Sequence, residues 1–407
     1  MKILFISNLY PPHYLGGYEI LCSQVIKEMQ LLGHETIVLT SNHGLQTQDS
    51  IPGIHRLLSV YPPFGKPPDI SRFRRFSQSR LNQKKTENII SSDNFDAIFV
   101  WSQLRLSLGP ARAAEKSGLP VFFTFNDDHL AGYLPARFCP TPLGIAKYLR
   151  DRLIFEEITT TGLKFENTTC ISQTLKDNLL ARGLQISDSR VIFQGIPVEL
   201  FPQKDDPGSL HSPLRLLYVG QLHEYKGVHI FLEGAARFAR KNAHQIEIKI
   251  AGEGPEEYKN RLAELAKEID GRVIFLGRIP HSELPQLYRE SDIFVFPSLW
   301  KEPFGLTHLE AIASGIPVIS TNDGGHGEFL KDRENCLIFE KGNSAQLSEK
   351  ILELSSNKDL RNSVILTARE TVEKDFSLKR YSADLEKFIC EKVRTHGIHA
   401  KLASPSF

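Results

Sequence analysis

A chain of 407 residues, 41% hydrophobic and 24% charged with a formal net charge of +1, has the composition of a soluble globular protein long enough for two domains. The balance of charge gives no general case for a nucleic-acid partner, and no apolar run approaches the ~20 residues of a membrane span. Five scattered cysteines, Cys22, Cys139, Cys170, Cys336 and Cys390, include no C-x-x-C pair, so neither a disulfide framework nor a zinc pattern is present and a reducing cytoplasm is expected.

The apolar run Ile3-Leu4-Phe5-Ile6 ends too early, at Asn8 and Pro11-Pro12, for a signal peptide, and reads as a first strand. A loop Ser7–Gly17, a helix Tyr18–Leu32 closed by Gly33 and a strand Thr36–Leu39 follow. Gly16-Gly17 precede the helix N-terminus, where the backbone can approach a ligand and an anion is favoured, although a plain tight turn would use the same pair. From Ile54 to Lys85 the sequence is irregular, with Pro-Pro at 62–63 and 67–68, and then turns basic: Arg72, Arg74, Arg75, Arg80, Lys84 and Lys85 alternate with Phe73, Phe76 and Leu81. Two readings stand there: a solvated helix face, or a patch that meets an anionic membrane surface or a lipid-phosphate acceptor. Strands at Ala97–Val100 and Val121–Phe125 continue the pattern, the second leading into Asn126-Asp127-Asp128-His129. His129 fits an ordinary loop residue and a site residue equally. A strand Thr168–Ile171, a helix after Ser172 and the run Val191–Pro197 lead to Gln203–Pro213, whose prolines and glycine mark the best domain boundary.

The pattern restarts with a strand Leu216–Val219 and the loop Gly220-Gln221-Leu222-His223-Glu224-Tyr225-Lys226-Gly227. A strand Ile246–Ile250 runs into Gly252-Glu253-Gly254, weak evidence for a phosphate loop, and a strand Val273–Leu276 into Gly277-Arg278-Ile279-Pro280. Ile293-Phe294-Val295-Phe296, closed by Pro297, is the pattern of a strand buried on both faces. Beyond it, Glu302 and Glu310 flank a turn that opens a helix Leu306–Ala313, ended by Gly315 and Pro317. In an open α/β sheet the carboxyl ends of strands bind ligands, and N–H groups of Phe304, Gly305 and Leu306 would face ligand oxygens there. The competing reading makes Thr307 and Glu310 a capping box and Glu302 a solvated loop residue. Helices near Ser344–Leu354, Lys358–Val372 and Phe376–Val393 precede a tail, His396–Phe407. The βα alternation predicts an α/β protein of two facing Rossmann-like domains with a cleft between them, spanning residues 1–205 and 214–375, with a terminal helix at 376–395.

Glu302-Pro303-Phe304-Gly305-Leu306, Glu310-Ala311, Ser314-Gly315-Ile316-Pro317-Val318-Ile319 and Gly324-Gly325 together resemble the signature of the retaining GT-B glycosyltransferases of family 4, also called glycosyl transferases group 1. The likeness covers nearly the whole chain and is strongest from Leu214 to Gly342. It implies a nucleotide-diphosphate sugar as co-substrate, no metal or other cofactor, and a terminal helix that crosses back to the N-terminal domain. By the same resemblance, Glu302 supports an oxocarbenium-like centre and, with the Phe304–Leu306 amides, holds sugar hydroxyls. Glu310 binds the ribose, Lys226 grips the diphosphate, Gly16 and Gly17 face the donor phosphates, and Arg278 and Ile279 hold the base. Two positions depart from the family pattern: Gln221 stands where arginine is usual, and Asn126 where histidine is usual, with His129 three residues on. Asn126 can still hydrogen-bond a sugar hydroxyl, and Asp127 can orient either group. The basic patch at Arg72, Arg74, Arg75 and Arg80 points to a glycan or lipid-linked acceptor, to cell-surface polysaccharide synthesis and to contact with the inner face of a membrane. The two departures keep open an inactive sugar-nucleotide-binding scaffold, and a sugar-nucleotide hydrolase or epimerase on the same fold.

Overall fold

Strands that are apolar at every position bury both faces, and a parallel sheet with helices on either side is the arrangement that allows it. The computed structural model describes residues 1–44, 51–61, 70–242, 245–269 and 271–403, the side chains of 242 and 397–403 excepted. It resolves into two units, Met1–Phe193 with Ser382–Phe407, and Gln194–Tyr381.

In the first unit, β1 (Lys2–Ile6), β2 (Glu35–Ser41), β3 (Ile54–Leu58), β4 (Ala97–Val100), β5 (Val121–Phe125), β6 (Asn167–Cys170) and β7 (Arg190–Val191) form one parallel sheet in the order β3-β2-β1-β4-β5-β6-β7. Its helices are α1 (Gly17–Leu31), α2 (Arg72–Ser91), α3 (Gly109–Lys116), α4 (Pro142–Leu153) and α5 (Gln173–Arg182). Phe5, Phe99 and Phe122 stack across β1, β4 and β5, with ring centroids 5.4 and 6.4 Å apart. The order reverses between β1 and β4, so the loops after these strands sit at the switch point of the sheet.

The second unit repeats the plan. Here β8 (Leu214–Val219), β9 (Ile246–Ala251), β10 (Gly271–Gly277), β11 (Ile293–Phe296), β12 (Val318–Ser320) and β13 (Leu337–Ile338) lie in the order β10-β9-β8-β11-β12-β13, all parallel. The helices are α6 (Val228–Asn242), α7 (Glu256–Lys267), α8 (Leu284–Arg289), α9 (Leu306–Ala313), α10 (Ser344–Ser356) and α11 (Lys358–Asp375); the last helix, α12 (Leu378–Ala403), belongs to the first unit from Ser382 onward. Its switch point lies between β8 and β11.

Several expectations change. The stretch after Ile54, read as irregular, holds β3 and α2; the Pro-Pro pairs at 62–63 and 67–68 lie outside the described residues. Residues 203–213, expected to divide the chain, and 194–202, expected in the first domain, belong to the second unit because they are bonded into it. Ile196 exchanges backbone bonds with Phe376 and Leu378, Lys204 and His211 reach Asp292, and the Gly208 carbonyl accepts from Arg361. The tail begun at His396 is helical through Ala403, as its sequence, free of proline up to that point, allows. Within the first unit, Phe388 of α12 packs edge-on against Phe122 at 5.7 Å. The glycines of Gly252-Glu253-Gly254 serve packing: a Cβ at Gly254 would lie 1.8 Å from the Leu222 carbonyl oxygen, and Leu222 donates to the Glu253 carbonyl at 2.8 Å.

Asp292, buried at the start of β11, accepts from Lys204 Nζ, from His211 and from the Arg215 amide. Asp292→Ala strands the buried Lys204 ammonium and should lower the stability of this unit by about 3 kcal/mol. Denaturant unfolding measures it; a loss below ~1 kcal/mol would show that Lys204 finds water instead.

Candidate active site

Lys226 closes the loop after β8 and Glu302 lies in the loop after β11, so the two strands flanking the switch point bring them together. Lys226 Nζ stands 2.8 Å from both Glu302 oxygens, and both side chains are largely shielded, at 13% and 8% exposure. Buried charges survive only when paired and hydrogen-bonded. Ser298, fully buried, completes the pairing by donating to Glu302 Oε1 at 2.6 Å. Aromatic rings surround the ammonium: Trp300, Phe296 and Tyr225 have centroids 5.3, 5.7 and 5.7 Å from Nζ, a setting that favours a cation. Gln221 is exposed nearby and accepts a hydrogen bond from Tyr225 Oη at 3.3 Å.

The backbone of Glu302 is clamped as firmly as its side chain. Glu302 bridges Gly324, the Gly325 amide donates to the Glu302 carbonyl at 2.7 Å, and the Glu302 amide donates to Asp323. Gly324, at φ +138°, would with a Cβ lie 2.4 Å from the Glu302 carbonyl oxygen, so only glycine permits this approach. Beneath the loop, His308 and His326 stack with centroids 5.0 Å apart. His326 donates from Nε2 to the Thr321 carbonyl, and His308 Nε2 meets Ser320 Oγ at 2.9 Å. Burial holds both imidazoles below their ordinary pKa, His308 far below, so they pack as neutral rings.

Phe304 turns into the core against Phe329 and Phe376, which leaves its backbone alone on the loop side. Gly305 caps α9 and Leu306 begins it, where helical N–H groups have no intrahelical acceptor. The capping-box reading of Glu310 does not hold: Thr307 lies inside α9, and the Glu310 carboxylate accepts instead from Tyr288 Oη at 2.9 Å and meets His281 Nε2 at 3.2 Å. Burial and the neighbouring carboxylate keep Tyr288 protonated as a donor. Burial opposes a charge on His281, but the bond to Glu310 outweighs it and its pKa is raised. Arg278 and Ile279 follow the carboxyl end of β10, the arginine exposed.

In the first unit, the Gly16 amide donates to Glu19 at 2.9 Å, and burial pushes that carboxyl up to about 7. Gly16 has an extended backbone, and a Cβ there would meet nothing nearer than Glu19 Oε2 at 3.9 Å. After β5, Asn126 Nδ2 donates to the Trp101 carbonyl at 3.0 Å. Asp127 pairs with the His129 ring and accepts from the His129 amide, and against its burial these contacts hold its carboxyl below the usual range. Among these partners, Ser298, Tyr288, His281, His308 and His326 carry no motif signal. Ser298 alone had a positional hint, two residues past the end of a buried strand.

The His281–Glu310 pair has a pH signature. The raised folded-state pKa means its stabilisation is fully present below the unfolded value near 6.5 and is lost as pH rises through the folded value. Denaturant unfolding of the protein from pH 6 to 9 should therefore show a loss of stability on the alkaline side that His281→Gln lacks; identical profiles would deny the pair any charge.

Comparison with known proteins follows the same division of the chain. Residues 15–200 match Glycosyltransferase Family 4, and residues 202–371 match Glycosyl transferases group 1. An uncharacterized glycosyltransferase of Methanocaldococcus jannaschii is 26% identical over 89% of this chain and 91% of its own. The N-acetyl-alpha-D-glucosaminyl L-malate synthase of Bacillus anthracis is 26% identical over 97% and 98%. The Anabaena HepE structure, solved in complex with UDP and glucose, superposes with a TM-score of 0.69 at 20% identity, covering 96% of this chain and 99% of that one. With both halves matched in turn and both sheets in Rossmann-like order, the protein belongs to the group 1 glycosyltransferases of GT-B fold.

Proposed function

We propose that the protein is a retaining glycosyltransferase that moves a hexose from a nucleotide-diphosphate sugar to a glycan or lipid-linked acceptor in cell-surface polysaccharide synthesis. The observation that carries this reading is the shielded Lys226–Glu302–Ser298 cluster at a strand switch point, beside the N-terminus of α9. In the proposed step the bond from the anomeric carbon to the donor phosphate oxygen breaks, and its electron pair leaves with the diphosphate. Lys226 offsets that charge, a preorganised electrostatic role that needs no metal ion. The acceptor oxygen bonds to the anomeric carbon on the face the diphosphate leaves, and its proton passes to a phosphate oxygen. Glu302, with the amides of Phe304, Gly305 and Leu306, holds sugar hydroxyls and supports the positive anomeric centre.

Glu310 takes the ribose hydroxyls, held in position by Tyr288 and His281. Arg278 and Ile279 flank the base. Gly16 and Gly17 serve the donor phosphates; for Gly16 the argument is its open Cβ direction, because its amide is already bonded to Glu19. Asn126 or His129 meets the transferred sugar, with Asp127 orienting the histidine. Gln221 supplies a neutral hydrogen bond where the family has a cation, which predicts slow turnover. The five cysteines are free, in keeping with a cytoplasmic enzyme, and the arginines of α2 give it contact with the membrane face. No helix among the described residues is long and apolar enough to cross a membrane.

A second reading, a sugar-nucleotide-binding scaffold, draws on Gln221 and on Asn126, whose amide is turned to the Trp101 carbonyl. One experiment separates the two: nucleotide release from a panel of UDP-, GDP- and ADP-sugars, with Glu302→Gln in parallel. Release from one donor is expected, about 10²-fold slower in the variant; equal rates would remove Glu302 from the chemistry, and binding without release across acceptors would favour the scaffold. Excess EDTA should leave the rate unchanged, and a loss restored by a divalent ion would overturn the metal-free step.

A further inference from the structure

Helix α4 is anomalous for a water-soluble protein. It has twelve residues, a length marginal in water without tertiary support, yet the one side chain it buries is a carboxylate, Asp151. Leu143 and Leu153 keep 65% and 77% of their surface exposed, and Leu149, Ile154 and the preceding Phe138 are exposed as well. The N-terminus of α2 joins this face: Arg72 pairs with Asp151 at 2.5 Å, and Phe73, 73% exposed, packs edge-on against Phe155 at 5.5 Å. Six cations accompany the apolar side chains, namely Arg72, Arg74, Arg137, Lys147, Arg150 and Arg152. From 71 to 76 and from 137 to 154 the only acidic residue is Asp151, buried and bonded to Arg72, Arg150 and the Ala136 amide, while Glu156, exposed, and Glu157 follow Phe155 at the edge of the face.

Apolar groups interleaved with cations, which outnumber the one exposed carboxylate at the edge, match the interfacial region of an anionic bilayer: hydrocarbon takes the leucines and headgroup phosphates take the arginines. A second copy fits worse. An isologous pairing would set a net positive face against itself. We propose that α4 and the N-terminus of α2 form one docking face that inserts shallowly into an anionic lipid surface. The inference deepens the peripheral-membrane reading above, moving its apolar component to a helix the basic run does not include. It is independent of the donor chemistry.

Co-sedimentation of the full chain with vesicles of phosphatidylcholine alone, or with 30% phosphatidylglycerol added, tests the face. Nucleotide release measured without vesicles reports the fold and the enzyme separately. The parent should bind the anionic vesicles and not the neutral ones, and 0.5 M salt should weaken binding strongly. Leu149→Glu with Leu153→Glu, one turn apart on one side of α4, should weaken it by tenfold or more with release unchanged. Arg74→Ala should cost about fivefold. If the parent binds neither vesicle, or both equally, the proposal falls. It falls too if the double variant binds like the parent; were reversal of Arg72 and Arg74 then to abolish binding, the α2 arginines would stand without α4. A parent that dimerises, with the double variant monomeric, would show that a second copy covers the face and overturn the lipid assignment.

Discussion

A carboxylate taken out of water must find a cation, and Glu302 finds Lys226 from another strand's loop, 76 residues away in sequence. Neither group is tolerable at its depth without the other. The pairing therefore holds the loops after β8 and β11 in one register, and both loops gain further support around it: Ser298 donates from below, Gly324 and Gly325 clamp the backbone, and three aromatic rings wall the ammonium. In the proposed transfer step this has a functional sense. A lysine already desolvated and fixed by its counter-ion meets incoming phosphate without first reorganising water, which is how preorganised charge contributes to catalysis.

Around that centre the second unit is built in layers of decreasing polarity. The ion pair lies in the loops after β8 and β11, the Glu310–Tyr288–His281 set lies beside it, and the neutral His308–His326 stack packs on Phe296 of the fully apolar strand β11. Burial drives the two stacked histidines neutral, so they fill volume without adding positive charge that would compete with Lys226 for Glu302. The same topology in the first unit serves a lighter load: Asn126 and the Asp127–His129 pair follow β5, and Glu19 anchors the glycine loop.

The surface of the first unit departs from this economy. Where most of the described helices bury apolar residues, α4 presents them to solvent beside a row of arginines, and its single buried group is the carboxylate that ties it to α2. A helix tied to its surroundings through one buried carboxylate, with its leucines outward, is what the proposed docking face requires. The two proposals thus fall on physically different regions: donor chemistry needs shielded, paired charge, whereas docking needs exposed charge and apolar surface.

The sequence by itself determined the class of fold and where ligand chemistry would gather. A continuous apolar tetrad closed by proline, such as Ile293–Phe296 before Pro297, reads as a strand buried on both faces, and Glu302, Phe304-Gly305-Leu306 and Glu310 follow it at fixed spacing. Local periodicity carries that much. It does not carry partners. That Lys226 meets Glu302, that Glu310 is held by Tyr288 and His281 rather than by a capping bond, and that Gly252-Glu253-Gly254 serves packing all depend on which loops the sheet order brings side by side. Nor does it tell that residues 194–213, rich in turn formers, are bonded into the second unit, or that β3 lies in a stretch of weak pattern. Those outcomes rest on contacts between residues tens to hundreds of positions apart, and only the tertiary structure decides them.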